Sequence, residues 1–297
     1  MSVSDFECPF CGGREGRVVV PASRTPSPLS IVRCAGCDLI LAHPRPSSPH
    51  LESRYTADYF HTTTPNDGGY EDYRGDEPLI RKTFLRRAFL FPSLPAAPSE
   101  KKTLLDVGCA TGVFLDLMSR RGWEVHGVDV SAYAAAAARE RGISILGRRL
   151  EDLEGKGPCF DAITLWDVIE HLEDPLDALA RCFTLLRPGG RLVLTTPDAS
   201  AGLARVLGRR WLGFRPVGEH VFFFGKKTIR AHVEKVGFRV LRVMPVGKYF
   251  NLERLLTRLC YYTRLFRLFE RLARRLPPGA AFYVNSRDTL CLVAEKP

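Results

Sequence analysis

The stretch LLDVGCATGVF, residues 104–114, decides the fold that we expect for this chain. An apolar run that carries the acid Asp106 breaks at three small residues and then becomes apolar again. The small residues are Gly108, Ala110 and Gly112. Glycine lets a chain turn sharply and lets its backbone approach a ligand, and the free N–H groups at a helix start bind polar ligands. We therefore expect a strand, a tight turn and a helix, with a binding site at the turn.

Strand and helix patterns alternate from residue 103 to the end of the chain. The predicted strands are 103–108, 123–130, 143–146, 160–166, 191–197, 238–246 and 288–295. The predicted helices are 113–122, 132–142, 174–190 and 226–237. Such alternation implies right-handed βαβ units. The fold class that we predict is α/β, a Rossmann-like seven-stranded, mostly parallel sheet with helices on both faces, which binds ligands at the carboxyl ends of its strands.

Four of the nine cysteines form two C-x2-C pairs near the N-terminus, Cys8 with Cys11 and Cys34 with Cys37. Two such pairs provide the four thiolates that tetrahedral Zn²⁺ requires. Disulfides are the alternative, but the sequence MSVSDFECPF has no secretory signal, which favours a reducing compartment. We predict a structural zinc ribbon that leaves no coordination position open for chemistry.

The net charge of +10 is unevenly distributed. Residues 201–297 carry 20 Lys and Arg against 6 Asp and Glu, whereas residues 1–200 carry 23 against 27. This points to one basic face rather than to a protein that coats nucleic acid. No run of about 18 apolar residues occurs, so no membrane-spanning helix is expected. We expect a cytoplasmic protein.

The pattern along the chain predicts three parts. A zinc ribbon occupies residues 1–45, a helical lid and a linker occupy 46–102, and the α/β domain occupies 103–297. A basic helical insertion at about 248–287 interrupts this domain, and its segment 265–276 has the pattern of an amphipathic helix. For most of its apolar face we expect a lid that packs on the core with its arginines in water. Contact with an anionic membrane or a lipid-linked acceptor is the alternative hypothesis.

Four stretches in order resemble the class I S-adenosylmethionine-dependent methyltransferases. They are LLDVGCATG (104–112), VHGVDVS (125–131), FDAITLWDVIEHLEDP (160–175) and LLRPGGRLVLTTP (185–197). The resemblance covers about residues 76–297 and is to the small-molecule branch that includes the ubiquinone-biosynthesis O-methyltransferases. The N-terminal cysteines are similar to the zinc-fronted layout of several methyltransferases of sugars and surface polysaccharides.

This resemblance implies roles at the first two strands. Asp106 and Gly108 would border the methionine part of the cofactor, and Gly112 would open the helix beside it. Asp129 would hold the ribose hydroxyls, and Val130 would lie against adenine. The implied cofactor-binding residues are Asp106, Gly108, Cys109, Ala110, Gly112, Asp129, Val130, Leu150, Glu151, Trp166 and Asp167.

The later strands complete this implied pocket. Leu150 and Glu151 would border the adenine edge, and Trp166 and Asp167 would close the pocket near the sulfonium. The sequence departs from the family pattern at Arg149, where relatives often carry an acid that meets the adenine amine.

The catalytic candidates are Asp167, Glu170 and His171, which follow the fourth strand beside the expected methyl group. Methyl transfer is an in-line displacement in which the protein mainly aligns the nucleophile, and an oxygen nucleophile gains from a base. His171 is the best base by its ordinary pKa; a structural role at the helix start is the alternative. Glu170 and His171 are too few to hold a divalent metal by themselves. Glu219 and His220 form a second pair in a later loop.

We predict a methyltransferase that uses S-adenosylmethionine, with structural Zn, on a small-molecule or lipid-linked acceptor such as a saccharide hydroxyl. The nucleophile can be oxygen, carbon or nitrogen. One alternative is an RNA methyltransferase, but the ribbon is not basic, so nucleic acid is not an expected partner. Another is a non-catalytic scaffold, against which the intact cofactor residues argue. The expected location is cytoplasmic, with peripheral contact to the inner face of the membrane as a hypothesis.

Overall fold

The computed structural model describes residues 5–25, 28–60, 72–91, 101–214, 218–256 and 281–297. The sequence also predicts a polar, glycine-rich loop at 61–75 and a linker at 92–102. These two segments and the predicted amphipathic helix at 265–276 fall wholly or mainly outside the described ranges. Tyr70, in the predicted loop, also lies outside the described residues. No helix in the described ranges is long and apolar enough to cross a membrane.

The N-terminal part begins with three antiparallel strands. They are β1 (Gly16–Val20), β2 (Ser30–Cys34) and β3 (Ile40–His43). Three helices follow: α1 (Ser48–Glu52), α2 (Ala57–Phe60) and α3 (Glu77–Arg87). The sequence predicts a helix over 76–91, and α3 with the 3-10 turn after it confirms that prediction.

Strands and helices then alternate as predicted, with four short elements that the sequence analysis does not predict: a helix at 202–207 and strands at 222–223, 248–250 and 282–284. The last two strands pair with each other at the two ends of the insertion that the sequence analysis describes as helical. In chain order the elements are β4 (Thr103–Val107), α4 (Val113–Ser119), β5 (Glu124–Val128), α5 (Ala132–Glu140), β6 (Ser144–Gly147), β7 (Phe160–Trp166), α6 (Pro175–Leu185), β8 (Leu186–Pro197), α7 (Gly202–Leu207), β9 (Phe222–Phe223), α8 (Lys226–Lys235), β10 (Arg239–Pro245), β11 (Lys248–Phe250), β12 (Phe282–Val284) and β13 (Thr289–Glu295).

Seven strands form the central sheet, in the order β10-β13-β8-β7-β4-β5-β6. All neighbours are parallel except β13, which runs antiparallel to both β8 and β10. The central strands are apolar on both faces, as Leu104, Leu105, Ile163 and Leu165 show by their complete burial. Such strands belong to a parallel sheet that is covered on both sides. The predicted fold class is therefore confirmed.

Helix α6 ends slightly before its predicted end. The sequence predicts a helix from residue 174 that Pro188, Gly189 and Gly190 end, whereas α6 ends at Leu185 and β8 begins at Leu186. Pro188 explains the early end, because proline lacks an N–H donor and disfavours helical backbone in the residue before it.

The N-terminal strands are joined to the rest of the chain. Strand β3 pairs with β9, with Ile40 opposite Phe223 and Leu41 opposite Phe222. At the cysteine end, the ring of Phe10 stacks on His232 of α8 with ring centroids 3.9 Å apart. Buried side chains of the N-terminal part, such as Phe6, Val32 and Leu39, therefore share one core with the central sheet.

Helix α3 is held against the central sheet's helices by ion pairs. Arg81 contacts Asp116 of α4 at 2.7 Å, and Glu77 pairs with Arg141 after α5 at 2.5 Å. Together with α1 and α2, α3 lies over the carboxyl ends of the parallel strands, where the cavity described below opens.

Candidate active site

The turn after β4 has the conformation that its small residues predict. Gly108, Ala110 and Gly112 all have positive φ, at 69°, 47° and 77°. A Cβ on Gly108 would lie 2.6 Å from Cγ2 of Val168, so no larger residue fits there. Helix α4 begins directly after Gly112. The strand, turn and helix predicted from residues 104–114 are confirmed.

The carboxylate of Asp129 is fixed by the same turn. It accepts hydrogen bonds from the backbone N–H of Ala110 at 2.7 Å and of Ser131 at 2.8 Å. Burial, with 8% of the residue exposed, raises the pKa of Asp129, while the two N–H donors oppose that rise. Each oxygen keeps a lone pair for a further donor, so the carboxylate can accept both hydroxyls of a diol.

A cavity of about 410 Å³ lies at the carboxyl ends of β4, β5 and β7. Its volume is in the range of small-molecule sites. Ten of the predicted cofactor-binding residues line it: Asp106, Gly108, Cys109, Ala110, Asp129, Val130, Leu150, Glu151, Trp166 and Asp167. Gly112 is not on the wall. A Cβ there would lie 3.1 Å from Ala138 and 3.2 Å from Ile143, so this glycine serves helix packing.

Asp106 is an acid without a cation in the described part of the site. It is 2% exposed and accepts a hydrogen bond of 2.5 Å from the Thr164 hydroxyl. Burial raises the pKa of Asp106 to about 8, and the nearby charge of Asp129 adds to the rise. A cationic ligand group beside it would restore the ionised form.

Asp167 ends β7 with a positive φ of 55° and is ionised. Burial alone would raise its pKa, but the charges of Lys248 and Arg87 outweigh burial and hold the pKa well below its usual range. The Nζ of Lys248 donates to the carboxylate at 2.7 Å, and the Thr195 hydroxyl donates to it at 3.0 Å.

His171 lines the cavity, and its Nδ1 lies 2.9 Å from the Tyr55 hydroxyl. Burial lowers the pKa of His171 to about 4, so the imidazole is neutral at physiological pH. The sequence favours His171 as a base because of its ordinary, near-neutral pKa, and burial removes that advantage.

Glu170 points away from the cavity wall into the protein. It is 1% exposed, and its carboxylate faces the buried hydroxyl of Thr196, which acts to lower its pKa. Burial, aided by the charge of Asp167, raises the pKa of Glu170 to about 8.

Glu219 and His220, the second pair of candidates, lie beside His171 in the structure. The ring of His220 packs edge-to-face against His171, with centroids 4.7 Å apart. Glu219 is buried, and burial raises its pKa to about 7. The backbone of Val221, which donates to the carbonyl of Glu170 at 2.8 Å, anchors the loop in place.

The N-terminal helices supply cavity residues that the sequence analysis missed. Tyr55, Tyr59 and Phe84 line the cavity opposite the sheet. In the sequence these residues belong to a series of aromatic side chains that follows the prolines at 44–49. Such a series does not indicate which rings face a ligand.

Glu52 of α1 also lines the cavity and answers the departure at Arg149. Arg149 forms an ion pair with Glu52, and Arg148 lies 3.7 Å from the same carboxylate. Helix α1 thus brings a carboxylate to the part of the cavity wall where Arg149 stands.

The four N-terminal cysteines converge in one cluster. Sγ of Cys8 is 3.5 Å from that of Cys37, and Sγ of Cys11 is 3.6 Å from that of Cys34. Four sulfurs at about 2.3 Å from a tetrahedral Zn²⁺ lie about 3.8 Å apart, so the arrangement fits that ion. The donor set, four thiolates on two tight turns, also suits zinc.

Comparison with known proteins agrees with this site. Residues 79–243 match the family described as "Methyltransferase domain". The ubiquinone biosynthesis O-methyltransferase of Pseudomonas paraeruginosa is 30% identical over 171 residues, 51% of this chain and 72% of that protein. The protein of the same name from Caulobacter vibrioides is 35% identical over 168 residues, 52% of this chain and 66% of that protein.

Solved structures share the fold. A SAM-dependent methyltransferase from Archaeoglobus fulgidus has a TM-score of 0.54 and 16% identity, and the match covers 80% of this chain and 100% of that chain. Geranyl diphosphate C-methyltransferase from Streptomyces coelicolor has a TM-score of 0.51 and 16% identity, covering 85% and 100%. Since the family match spans more than half of the chain, the protein belongs to the methyltransferase-domain family and is an S-adenosylmethionine-dependent methyltransferase.

Proposed function

We propose that this enzyme methylates an oxygen of a small-molecule or lipid-linked acceptor. The observation that carries the proposal is one continuous cavity that joins the acids at the turn, Asp106 and Asp129, to Tyr55 and His171. Oxygen as the nucleophile is supported by the relatives, whose names describe O-methyltransferases. We propose a saccharide hydroxyl as the first acceptor to test.

The residues at the turn fit S-adenosylmethionine. The free lone pairs of Asp129 suit the ribose diol, and the buried carboxyl of Asp106 suits the cationic amino group. Gly108 lies on the cavity wall, where its backbone faces the space for a ligand. When bound, this cofactor supplies an activated methyl group on sulfur, so the protein has mainly to align the acceptor.

Tyr55, Tyr59 and Phe84 lie on the opposite wall from the turn, and Trp166 adds a fourth ring. We propose that they position the acceptor and exclude water. Apolar walls with few polar groups are typical of small-molecule sites, and aromatic rings provide a large apolar surface with a polar edge.

We propose Asp167, Glu170 and His171 as the catalytic group. Asp167 is an ionised carboxylate on the cavity wall, and His171 is a neutral imidazole on the same wall. Glu170 stands behind His171, with its Oε1 4.0 Å from Nε2.

We also propose a role for each of the three parts of the chain. The ribbon (1–45) would be a structural module, the segment 46–102 a lid, and 103–297 the catalytic domain. The basic insertion at 248–287 would contact an anionic membrane at its inner face. In a liposome sedimentation assay, binding should increase with the anionic lipid fraction; binding that ignores this fraction would contradict the contact.

The first experiment is calorimetry with S-adenosylmethionine. We expect micromolar binding that Asp129→Ala abolishes and that Asp161→Asn leaves unchanged, because Asp161 pairs with Arg187 away from the cavity. Transfer of radiolabelled methyl groups to sugar nucleotides and lipid-linked glycans then tests the acceptor class. Binding without transfer to any acceptor would support the scaffold alternative, and salt-sensitive RNA binding would support the RNA alternative.

A further inference from the structure

An ion pair stands on the cavity wall at the end of β6. Glu52, the last residue of α1, pairs with Arg149, which lies two residues after the end of that strand. The guanidinium of Arg148 lies 3.7 Å from the same carboxylate, so one acid faces two cations. All three residues line the cavity. The pair therefore offers hydrogen-bonding groups to a ligand that fills this end.

The turn that carries Arg149 is held to the sheet by polar contacts. The carboxylate of Asp152 accepts hydrogen bonds from the backbone N–H of Arg148 at 2.6 Å and of Arg149 at 3.1 Å. The Arg148 guanidinium also donates to the carbonyl of Val130, after β5, at 3.1 Å. The sheet thus fixes one side of the ion pair, and α1 brings the carboxylate to it.

The order of the strands indicates which part of the cofactor reaches this pair. Strands β4, β5 and β6 are parallel neighbours, and Asp106, Asp129 and Arg149 lie at or just after their carboxyl ends in that order. Because neighbouring strands lie about 4.8 Å apart, Arg149 lies beyond Asp129 on the side away from Asp106. With the cationic amino group at Asp106 and the ribose diol at Asp129, as in the proposed function, the base of the cofactor points towards Arg149.

Apolar side chains lie beside the ion pair. Val130 and Leu150 line the cavity next to Arg148 and Arg149, and Leu150 is 6% exposed. Aliphatic side chains suit the faces of a flat aromatic base. The polar edge of that base then needs hydrogen-bond partners, because an unpaired polar group out of water is costly.

The ion pair presents a donor beside an acceptor. A guanidinium only donates hydrogen bonds, and an ionised carboxylate only accepts them. Adenine has the complementary groups along one edge, since its ring nitrogen N1 accepts and its exocyclic amino group donates. Hypoxanthine, in which a carbonyl replaces the amino group, has the reverse pattern at both atoms. An arginine and a glutamate side by side therefore distinguish between these two bases.

Two other acids on this wall are less suited to the amino group. Glu151 and Asp177 also line the cavity, but both face Arg181, at 4.0 Å and 2.6 Å. Their side chains are 48% and 46% exposed, whereas that of Glu52 is 23% exposed. A hydrogen bond is stronger where less water surrounds it, so Glu52 is the acid that affects the base most.

We propose that Glu52 and Arg149 select the base of the cofactor, with Glu52 accepting from the adenine amino group and Arg149 donating to N1. This role rests on the proposed position of the cofactor. Carboxylate oxygens accept more than one hydrogen bond each, so Glu52 keeps Arg149 while it binds the amine. Helix α1, which lies outside the α/β domain, then forms part of the cofactor site, and the bound base and α1 stabilise each other.

The test compares two ligands that differ only at this edge of the base. Calorimetry of the full-length protein measures the affinities for S-adenosylhomocysteine and S-inosylhomocysteine. We expect the wild type to prefer the adenosine ligand by at least about 100-fold, because both polar atoms of the other base meet groups of their own kind. Glu52→Gln, whose amide can donate to the hypoxanthine carbonyl, should reduce this preference to less than about tenfold. Glu234→Gln, in an exposed pair with Arg230 on α8, is the matched control and should keep it.

The ratio of the two affinities separates base recognition from packing of the lid. A substitution that only loosens α1 weakens both ligands equally, so an unchanged ratio in Glu52→Gln would overturn the proposal, as would a wild type without a preference. Arg149→Met is the second variant, and it decides if Glu52→Gln binds neither ligand. It removes the donor to N1 while Arg148 still faces Glu52, and the preference should fall by about tenfold.

Asp129→Ala distinguishes failure of this role from failure of the proposed function. If Asp129→Ala leaves both affinities unchanged, the proposed position of the cofactor is wrong, and the role of Glu52 is wrong with it. If Asp129→Ala abolishes binding but Glu52→Gln and Arg149→Met keep the wild-type ratio, the proposed position stands and only the selection of the base by this ion pair is overturned.

Discussion

The ammonium group of Lys248 lies 2.7 Å from the carboxylate of Asp167 and joins β11 to the end of β7. Lys248 is the first residue of β11, at the start of the segment predicted as a basic insertion, and Asp167 stands on the cavity wall. Their ion pair joins the start of this segment to the charge of the site.

Lys248→Met should raise the pKa of Asp167, because burial then acts on the carboxylate with less opposing positive charge. In the wild type the folded-state pKa of Asp167 is depressed, so its carboxylate is ionised throughout the neutral range. In the variant we expect activity to fall by at least about tenfold and to recover as pH rises. A pH–rate profile of kcat measures this. Lys227→Met, an exposed lysine on α8, is the control. Profiles that coincide for the variant and the wild type would refute the coupling.

Binding of S-adenosylmethionine should become tighter as pH rises towards about 8. Asp106 has a raised pKa in the free protein, so below pH 8 it must lose a proton before it can pair with the cofactor's amino group. Calorimetry from pH 6 to 8 in two buffers of different ionisation enthalpy should detect proton release. Asp106→Asn should remove both the pH dependence and the proton release, and if it does neither, the amino group binds elsewhere.

The same raised pKa has a consequence for folding. A carboxyl whose pKa is higher in the folded than in the unfolded state stabilises the protein fully below its unfolded pKa, and this stability is lost as pH rises through the folded pKa. For Asp106 this window runs from about 4 to about 8. Urea unfolding of the cofactor-free protein should therefore show Asp106→Asn gaining stability relative to the wild type as pH rises, and a constant difference would contradict the assignment.

Loss of the cysteine cluster should destabilise the whole chain and not only its first forty residues. Cys11→Ser removes one ligand, and we expect about 3 kcal/mol of lost stability with a Tm lower by roughly 6 °C or more. Cys159→Ser, outside the cluster, is the matched control. Thermal unfolding followed at Trp123 or Trp166 reports the sheet. An unchanged Tm for the sheet signal would mean that the ribbon unfolds independently.

Gly108→Ala and Gly142→Ala separate backbone strain from a steric clash. Both glycines have positive φ, at 69° and 78°, but a Cβ meets Val168 at 2.6 Å only in the first; at Gly142 nothing lies within 4 Å. Gly142→Ala should cost about 1 kcal/mol of stability with normal cofactor affinity. Gly108→Ala should cost more and weaken cofactor binding by at least about tenfold, as calorimetry would measure. Equal effects would show that only strain matters.

The local part of the site could be predicted from the sequence. The turn at 104–114 and the acids at the strand ends depend on residues adjacent in the chain, and the rules for glycine and for parallel strands place them. The cysteine pairs are equally local, because spacing alone identifies a tetrahedral site.

The long-range part could not be predicted in this way. His220 meets Glu170 and His171 only because the loop before β9 bonds to the backbone of Glu170. No periodicity relates residues fifty positions apart, and hydrophobic patterns carry no information about which loops meet. The ion pair between Arg149 and Glu52 could not be predicted for the same reason.

The pairing of β3 with β9 also sets an order of events on the ribosome. Ile40 and Leu41 are synthesised about 180 residues before their partners Phe223 and Phe222. At about 5–20 residues per second, the edge of β3 waits roughly 10–40 s for its neighbour. During that interval β3 lacks its partner strand from the second half of the chain. A metal ion bound by the four cysteines, as proposed, would hold the three N-terminal strands in a native shape until that partner is synthesised.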